Sequence, residues 1–316
     1  MAAEGKNLIA IVGPTASGKT RLGVRLAHAL GGEIVSADSR QVYRGLVIGA
    51  GKDLEEYVCE GRTVPVHLID VVDLDREFSV FEYQRRFFET FQHLRARRVL
   101  PILVGGTGLY VESVLNGYQM MEVPEDNTLR AELAALSHDA LVARLTALKP
   151  RLHNITDLEN RDRLVRAIEI AAFQNTHIPK PTPEVRSLTL GTRWPRDELR
   201  QRIRLRLDHR IEHGMIEEVE QLLARGVPHE ILQFLGLEYR FSSDYLRGAI
   251  KNRNDLIQAL HSAICRFAKR QQTWFRRMER QGTAIHWIDG ADFDAAMHVV
   301  FGEPSLKTIA TRARGV

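Results

Sequence analysis

Gly13-Pro14-Thr15-Ala16-Ser17-Gly18-Lys19-Thr20 follows directly on the apolar run Leu8 to Val12 and leads into the helical pattern Leu22 to Leu30. It fits G-x-x-x-x-G-K-[ST] in the context that motif requires, a strand before and a helix after. The glycines let the loop curl around an anion with its N–H groups pointing inward, and the start of the following helix adds a favourable dipole. Lys19 supplies a point charge for a phosphoryl oxygen, and the Thr20 hydroxyl is a ligand for Mg²⁺. The whole stretch Gly13 to Thr20 is therefore expected to bind a di- or triphosphate.

Working outward, the first 117 residues alternate between strand and helix. Strands are expected at Leu8–Val12, Glu33–Ser36, Val66–Val71 and Leu100–Val104, with helices at Lys19–Leu30 and Ser79–Arg97. In an open parallel sheet the ligand crevice lies beyond the carboxyl ends of the strands. The turns Ala37-Asp38-Ser39, Asp73-Leu74-Asp75 and Gly105-Gly106-Thr107-Gly108 should therefore converge on the phosphate loop. The texture then changes. Pro124 to Ala172 is strongly helical, with leucines at period 3.6 (Leu129, Leu133, Leu136; Leu141, Leu145, Leu148). Ile178 to Pro183 is a proline-studded connector. Ser187 to Thr192 returns as a strand, helices follow at 196–213, 215–225 and 255–280, and Trp287–Asp289 is a last short strand before a loose tail beyond Pro304. The fold expected is α/β, a P-loop NTPase-like parallel sheet flanked by helices with a helical insertion domain. Residues 1–117 and 186–316 form the core and 118–185 the insertion.

The chain of 316 residues is 44% hydrophobic and 27% charged. It has no apolar run long enough to span a membrane. Its first six residues are too polar for a secretory signal. Cys59 and Cys265 stand far apart, in no metal-ligand spacing, which points to a reducing, cytoplasmic setting without a zinc site. The net charge is +4. Its distribution is more informative: six Lys/Arg against one acid between Arg266 and Arg280, and seven arginines between Arg193 and Arg210. The first run interleaves Trp274 and Phe275, a mixture of phosphate-binding cations and stackable rings that suits RNA.

Several side chains are candidates for chemistry. Asp38 ends the second strand facing the crevice, as a general base, a metal-bridging group or the N-cap of a short helix. Thr107 sits in a glycine turn that permits close approach of a ligand or simply leads strand into helix. Arg202, Arg206 and Arg210 share one helix face, either to grip a diphosphate or to form surface ion pairs. Asp70 is a loose match to a Walker-B aspartate.

Four stretches in order, Gly13 to Thr20, Asp38-Ser39-Arg40-Gln41-Val42-Tyr43-Arg44, Gly105 to Tyr110 and Lys269-Arg270-Gln271-Gln272-Thr273-Trp274-Phe275-Arg276, resemble the tRNA dimethylallyltransferase family, also called tRNA isopentenylpyrophosphate transferases. The resemblance runs from the phosphate loop to about Asp289. It implies prenylation of N6 of the adenosine at tRNA position 37, with dimethylallyl diphosphate as donor, by a monomer using Mg²⁺ held at Thr20. The loop would then hold a leaving diphosphate, with Lys19 and Arg202 on its charge, Asp38 as general base and Thr107 near the reacting base. It also implies tRNA contacts at Asp38, Ser39, Arg40, Gln41, Arg130, Asp162, Arg163, Arg166, Lys269, Arg270, Gln271, Trp274 and Arg276, and an insertion that grips the anticodon stem-loop. Three stretches depart from the family pattern. Ile48-Gly49-Ala50-Gly51-Lys52-Asp53 stands for Ile-Gly-Thr-Ala-Lys-Pro, Leu235-Gly236-Leu237-Glu238-Tyr239 for a Gly-Tyr-(Lys/Arg)-Glu element, and Asn175 to Pro181 for a Thr-Gly-Lys-Pro element. They leave Lys19, Asp38 and Thr107 untouched and bear on the choice of tRNA. Adenylate isopentenyltransferase is the alternative, set against by the insertion and the basic helix. A nucleotide kinase or ATPase is a second alternative and wants a clear Walker-B strand. A guanine-nucleotide switch wants an N-K-x-D tetrad, which is absent.

Overall fold

Five apolar residues, Leu8–Val12, are wholly buried as β1. Alternate members of this strand face opposite cores, which is why the run is continuous rather than alternating. The structure, a computed structural model, describes residues 5–149, 158, 160–178 and 181–306. Part of the expected connector (179 and 180), part of the helical stretch (150–157 and 159) and most of the tail beyond Pro304 lie outside the described residues.

After β1 come α1 (Lys19–Leu30), β2 (Gly32–Ala37), a 3-10 turn at Leu54–Tyr57, a small hairpin of β3 (Val58–Cys59) and β4 (Arg62–Thr63), β5 (Val66–His67), α2 (Val80–Ala96), β6 (Leu100–Gly105) and α3 (Gly108–Leu115). Helices α4 (Asn127–Ala134), α5 (His138–Leu148) and α6 (Arg161–Thr176) follow. The chain then makes β7 (Ser187–Arg193), α7 (Arg196–Glu212), α8 (Met215–Ala224), α9 (His229–Phe234), α10 (Leu237–Leu246), α11 (Arg253–Arg280), β8 (Ile285–Asp289) and α12 (Phe293–Gly302). Two compact units result, residues 1–117 with 183–316, and residues 118–182.

The first unit holds a six-stranded sheet in the order β5-β2-β6-β1-β7-β8. Every pairing is parallel. One face packs Leu8, Ala10 and Val12 with the α2 aromatics Phe87 and Phe91; the other packs Ile9 and Ile11 with Leu22, Leu26 and Leu30 of α1 and Met297 and Val300 of α12. The strand expected over Val66–Val71 stops at His67. Leu68 and Asp70 take positive φ of 63° and 55°, which no strand accommodates.

Beside the sheet, Leu199, Ile203, Leu207 and Ile211 of α7 pack on Leu256, Leu260 and Ile264 of α11. The spacing of four puts these apolar residues on one stripe, and Arg202, Arg206 and Arg210, each one position before, on the stripe next to it.

The second unit closes on Leu133, Leu141, Leu145, Leu164 and Ile168. Its helices begin at side-chain caps, Asp126, Ser137 and Asn160, each accepting an N–H from the first turn. No helix among the described residues is long and apolar enough to cross a membrane.

Candidate active site

Strand register builds the site. Gly105 of β6 is level with Val12 of β1 on one side and Ala37 of β2 on the other. The next residues, Gly13, Asp38 and Gly106, therefore leave three adjacent strands at one height. Glycine is required at Gly105: a Cβ there would lie 2.2 Å from the Ala37 carbonyl oxygen. The three strand ends open onto a cavity of about 820 Å³.

The phosphate loop curls through left-handed φ at Ala16 (61°) and Gly18 (83°) before α1 begins. Its outer side is fixed to β7 and α7. Ser17 Oγ and Thr192 Oγ1 share a hydrogen bond of 2.6 Å, the Trp194 indole donates to the Ser17 carbonyl (3.0 Å), and Arg202 Nε donates to the Ala16 carbonyl (2.9 Å). Arg202 also lies over the Trp194 ring, 4.2 Å from its centroid. Arg206 donates to Thr15 Oγ1. Lys19 Nζ reaches only the Pro14 carbonyl, at 3.3 Å.

Cations crowd here. Desolvation, then Arg206, pushes the Lys19 amine down to about 8. Desolvation, then Arg210, pushes the Arg206 guanidinium down to about 10. Arg210 is buried, with Nη2 3.2 Å from Asp53 and Nη1 3.8 Å from Glu238, and its Nε–H finds no acceptor in the protein among the described residues. A loop of backbone N–H groups facing several desolvated cations is a built receptor for a polyanion.

Across the cavity, Asp38 Oδ1 accepts the Arg40 N–H at 2.9 Å. Asp38 thus holds a turn; no helix follows it, and the N-cap alternative does not apply. Thr107 Oγ1 accepts the Ser39 N–H at 3.0 Å, tying the Asp38 turn to the glycine loop after β6. Gln41 is buried, bonded to Ser36 Oγ and the Gly51 carbonyl. Arg40 lines the cavity.

Helix α11 supplies the last wall. Its Gln271 is 7% exposed, and both amide atoms are engaged: Oε1 accepts the Thr15 N–H and Nε2 donates to the Gly106 carbonyl, each at 2.8 Å. Gln271 is a strut between the phosphate loop and the glycine loop. Trp274 packs against Gly108 beneath Arg277. Lys269, Arg270 and Arg276 are exposed.

In the second unit, Glu169 is buried and takes Arg130 through two bonds of 2.8 and 3.0 Å and Arg166 through one of 3.1 Å. These partners hold the Glu169 carboxyl below its usual range against the opposing effect of burial. Arg166 also donates to the Val123 carbonyl, and Arg161 to the carbonyls of Leu133, Ala134 and Leu136. Asp162 and Arg163 are exposed.

Asp70 is not a Walker-B group. Its carboxylate pairs with buried Lys52, which also donates to the Tyr43 carbonyl. Sequence reasoning missed Asp53 and Glu56, which line the cavity. Burial, then Asp53, pushes the Glu56 carboxyl up. The Glu55 and Glu56 pair before an aromatic residue was the available signal. Two of the stretches that depart from the family pattern meet one another. Ala50 N–H donates to the Tyr239 hydroxyl at 3.0 Å, and Arg210 lies between Asp53 and Glu238. The third departure falls partly outside the described residues.

Comparison with known proteins places this geometry. A model of the family described as IPP transferase matches residues 41–278. A protein of Geotalea uraniireducens named tRNA dimethylallyltransferase 1 is 58% identical over 284 residues, covering 90% of this chain and 93% of that protein. A tRNA dimethylallyltransferase 2 of Treponema denticola is 49% identical, covering 89% and 95%. Among solved structures, the tRNA isopentenylpyrophosphate transferase of Bacillus halodurans superposes with a TM-score of 0.68 at 34% identity, covering 98% of this chain and all of that one. A eukaryotic dimethylallyltransferase acting on tRNA shares the fold, with a TM-score of 0.72 at 21% identity, covering 96% and 78%.

Proposed function

The chain belongs to the IPP transferase family, and from that premise we propose that it moves a dimethylallyl group from dimethylallyl diphosphate to N6 of the adenosine at tRNA position 37. The observation that carries this reading is the shared height of Gly13, Asp38 and Gly106 on three adjacent strands. A phosphate receptor and a carboxylate then face one cavity from neighbouring strand ends.

The chemistry divides between the two sides. N6 attacks the allylic carbon, the carbon–oxygen bond breaks, and diphosphate leaves with the electron pair. Negative charge builds on the departing oxygens, where the loop N–H groups, Lys19, Arg202 and Arg206 stand. Fixed donors aimed at developing charge lower the barrier without reorganising. The exocyclic amine is a poor nucleophile until it sheds a proton. Asp38 accepts that proton; Oδ1 is held by Arg40, and no protein donor meets Oδ2 among the described residues. Thr107 fixes the height of the Asp38 turn through Ser39.

The oxygen donors at the mouth of α1 suit a hard cation. Thr20 would hold Mg²⁺ in the cavity that Asp38, Asp53 and Glu56 also line, and the ion would neutralise diphosphate charge. The target base must leave its stack to enter the cavity. The exposed cations Lys269, Arg270 and Arg276 of α11 take phosphates of the anticodon stem-loop, and exposed Arg163 gives the helical unit a further phosphate contact. Every group named lies in one chain, so a monomer suffices.

The test is a competition. The purified protein is incubated with Mg²⁺, dimethylallyl diphosphate and equal amounts of unmodified tRNA and AMP, and the added prenyl mass is located. Prenyl on one adenosine beside the anticodon is the expected result. Prenyl on AMP moves the protein to the small-molecule class, and an adduct on neither overturns the reading.

A further inference from the structure

At the C-terminal end of α1, the end opposite the phosphate loop, three side chains of different chemistry converge. His28 lies in the last turn of the helix, Cys59 ends β3, and Glu60 begins the hairpin turn with a left-handed φ of 50°. Their donor atoms all lie within 4.8 Å of one another. We infer that His28, Cys59 and Glu60 form a binding site for a zinc-class divalent cation, distinct from the Mg²⁺ position at Thr20.

The geometry fits that ion. His28 Nε2 stands 3.3 Å from Glu60 Oε2. Two ligands at zinc bond lengths of about 2.0–2.1 Å in a tetrahedron are separated by about 3.3–3.4 Å. Cys59 is half-buried, forms no disulfide and packs at the edge of the core beneath α1. A thiolate, an imidazole and a carboxylate select zinc, or cobalt as its stand-in, over magnesium. Three protein ligands leave a fourth position, and Glu60 opens it to solvent with its side chain 81% exposed. The neighbouring cavity is shared with Arg21, Arg25, Glu55 and Glu56. Arg25 is stacked on Phe293, 4.1 Å from the ring centroid. The negative end of the α1 dipole also favours a cation beside His28.

The fold gives the site a purpose. Strands β3 and β4 have two residues each, and β4 is exposed. A hairpin that short does not hold together alone. A metal bridge from Cys59 and Glu60 to His28 pins it to α1. His28 lies eight residues beyond Thr20, about 12 Å along the helix axis. The ion is therefore a staple for the hairpin rather than a participant in the transfer. Binding releases the thiol proton to solvent.

The experiment uses the full chain carrying Cys265→Ser, which leaves Cys59 the single thiol. Metal-stripped protein is titrated with Co²⁺. The expected result is one equivalent bound, with a sulfur-to-cobalt charge-transfer band and the intense visible bands of tetrahedral cobalt, all displaced by Zn²⁺. Adding Cys59→Ser should abolish the charge-transfer band, and His28→Gln should weaken binding at least about tenfold. Octahedral cobalt spectra, or equal binding after Cys59→Ser, overturn the site. Should Cys59→Ser fail to fold, protection decides instead. Zn²⁺ must slow alkylation of Cys59 in the Cys265→Ser protein, and an unchanged rate sinks the proposal. Prenyl transfer with Mg²⁺ should stay within about twofold in His28→Gln, which separates this site from the proposed transfer site.

Discussion

In the helical unit Arg130, Arg161 and Arg166 are closed off; around the phosphate loop Lys19 and Arg206 are left open. Arg130 and Arg166 share the buried Glu169 carboxylate, and Arg161 satisfies three carbonyls at the end of α4. Around the cavity, Lys19 reaches a single carbonyl, Arg206 a single hydroxyl, and the Arg210 Nε–H nothing among the described residues. Both sets include short spacings along one helix, 161, 163 and 166 against 202, 206 and 210, so the sequence texture does not separate them. What separates them is whether a carboxylate bonds the cation directly: Glu169 meets Arg130 and Arg166, whereas Lys19 and Arg206 have no carboxylate within hydrogen-bond reach among the described residues. A cation paired with a buried carboxylate holds a fold together. Desolvated cations pressed against each other raise the energy of the free protein, and an anionic ligand relieves it.

The sharpest way to break this contrast is to remove an open valence from each side. Asp38→Asn keeps the shape and deletes the proton acceptor. Turnover should fall about 10²–10⁴-fold, with tRNA affinity within about threefold. Single-turnover prenylation and a binding titration measure the two. Equal losses in both would make Asp38 a structural residue of its turn. The next effect belongs to α11. Charge reversal at Lys269 and Arg270 should weaken tRNA binding by about 10–100-fold at physiological salt and lower the slope of log K against log salt by about two. An unchanged slope would take the exposed face of α11 out of the RNA interface.

Smaller, and aimed at the closed side, is Arg130→Gln. It leaves Glu169, 1% exposed, with a weakened partner set. The helical unit should lose about 1–3 kcal/mol, read as an earlier step in denaturant unfolding, while tRNA affinity of the folded protein stays within about threefold. A tenfold loss of tRNA binding with unfolding unchanged would mean that Arg130 meets the RNA directly. The distinction between open and closed arginines would then fail.

The same contrast explains what was legible beforehand. Strands β1 and β6 were readable because burial on both faces writes a nearly continuous apolar run. The convergence of the Asp38 and Gly105–Gly108 turns on the phosphate loop followed from parallel topology alone, while the third expected turn, Asp73 to Asp75, does not line the cavity. Strand β5 was read too long because Leu68 and Asp70 are apolar-plus-acidic in pattern yet left-handed in backbone. Helices α9 and α10 went unseen because Phe234, exposed at 75%, and the buried Ser242 and Ser243 blur the amphipathic period. The partners of Asp53 and Ala50 were beyond any local pattern. Asp53 meets Arg210 across 157 residues of chain, and Ala50 meets Tyr239 across 189. Gln271 was legible as part of a basic, aromatic stretch. Its use as an internal strut depends on Thr15 and Gly106, which no spacing along α11 reveals.

The subtlest consequence of the open side is a proton count. With the free protein's Lys19 amine at about 8 instead of 10.5, the native state holds fewer protons than the unfolded chain between those values. From this group alone, ligand-free stability is therefore flat below pH 8 and rises as pH climbs toward 10.5. Bound diphosphate reverses the balance, because an anion beside Lys19 favours its charged form. Proton uptake on binding should grow from about half a proton at pH 8 toward one at pH 9, and affinity should fall as pH rises through that window. At pH 6.5 the uptake should vanish, since Lys19 is already charged. Calorimetry in buffers of different ionisation heat measures the uptake, and the difference between the native protein and Lys19→Met removes the titration of diphosphate itself. Arg206, at about 10, remains charged throughout and serves as the constant background. Identical uptake in the two proteins would show that the amine is fully charged before the ligand arrives. Crowding by Arg206 would then cost Lys19 nothing, and the cavity would be no more open than the helical unit.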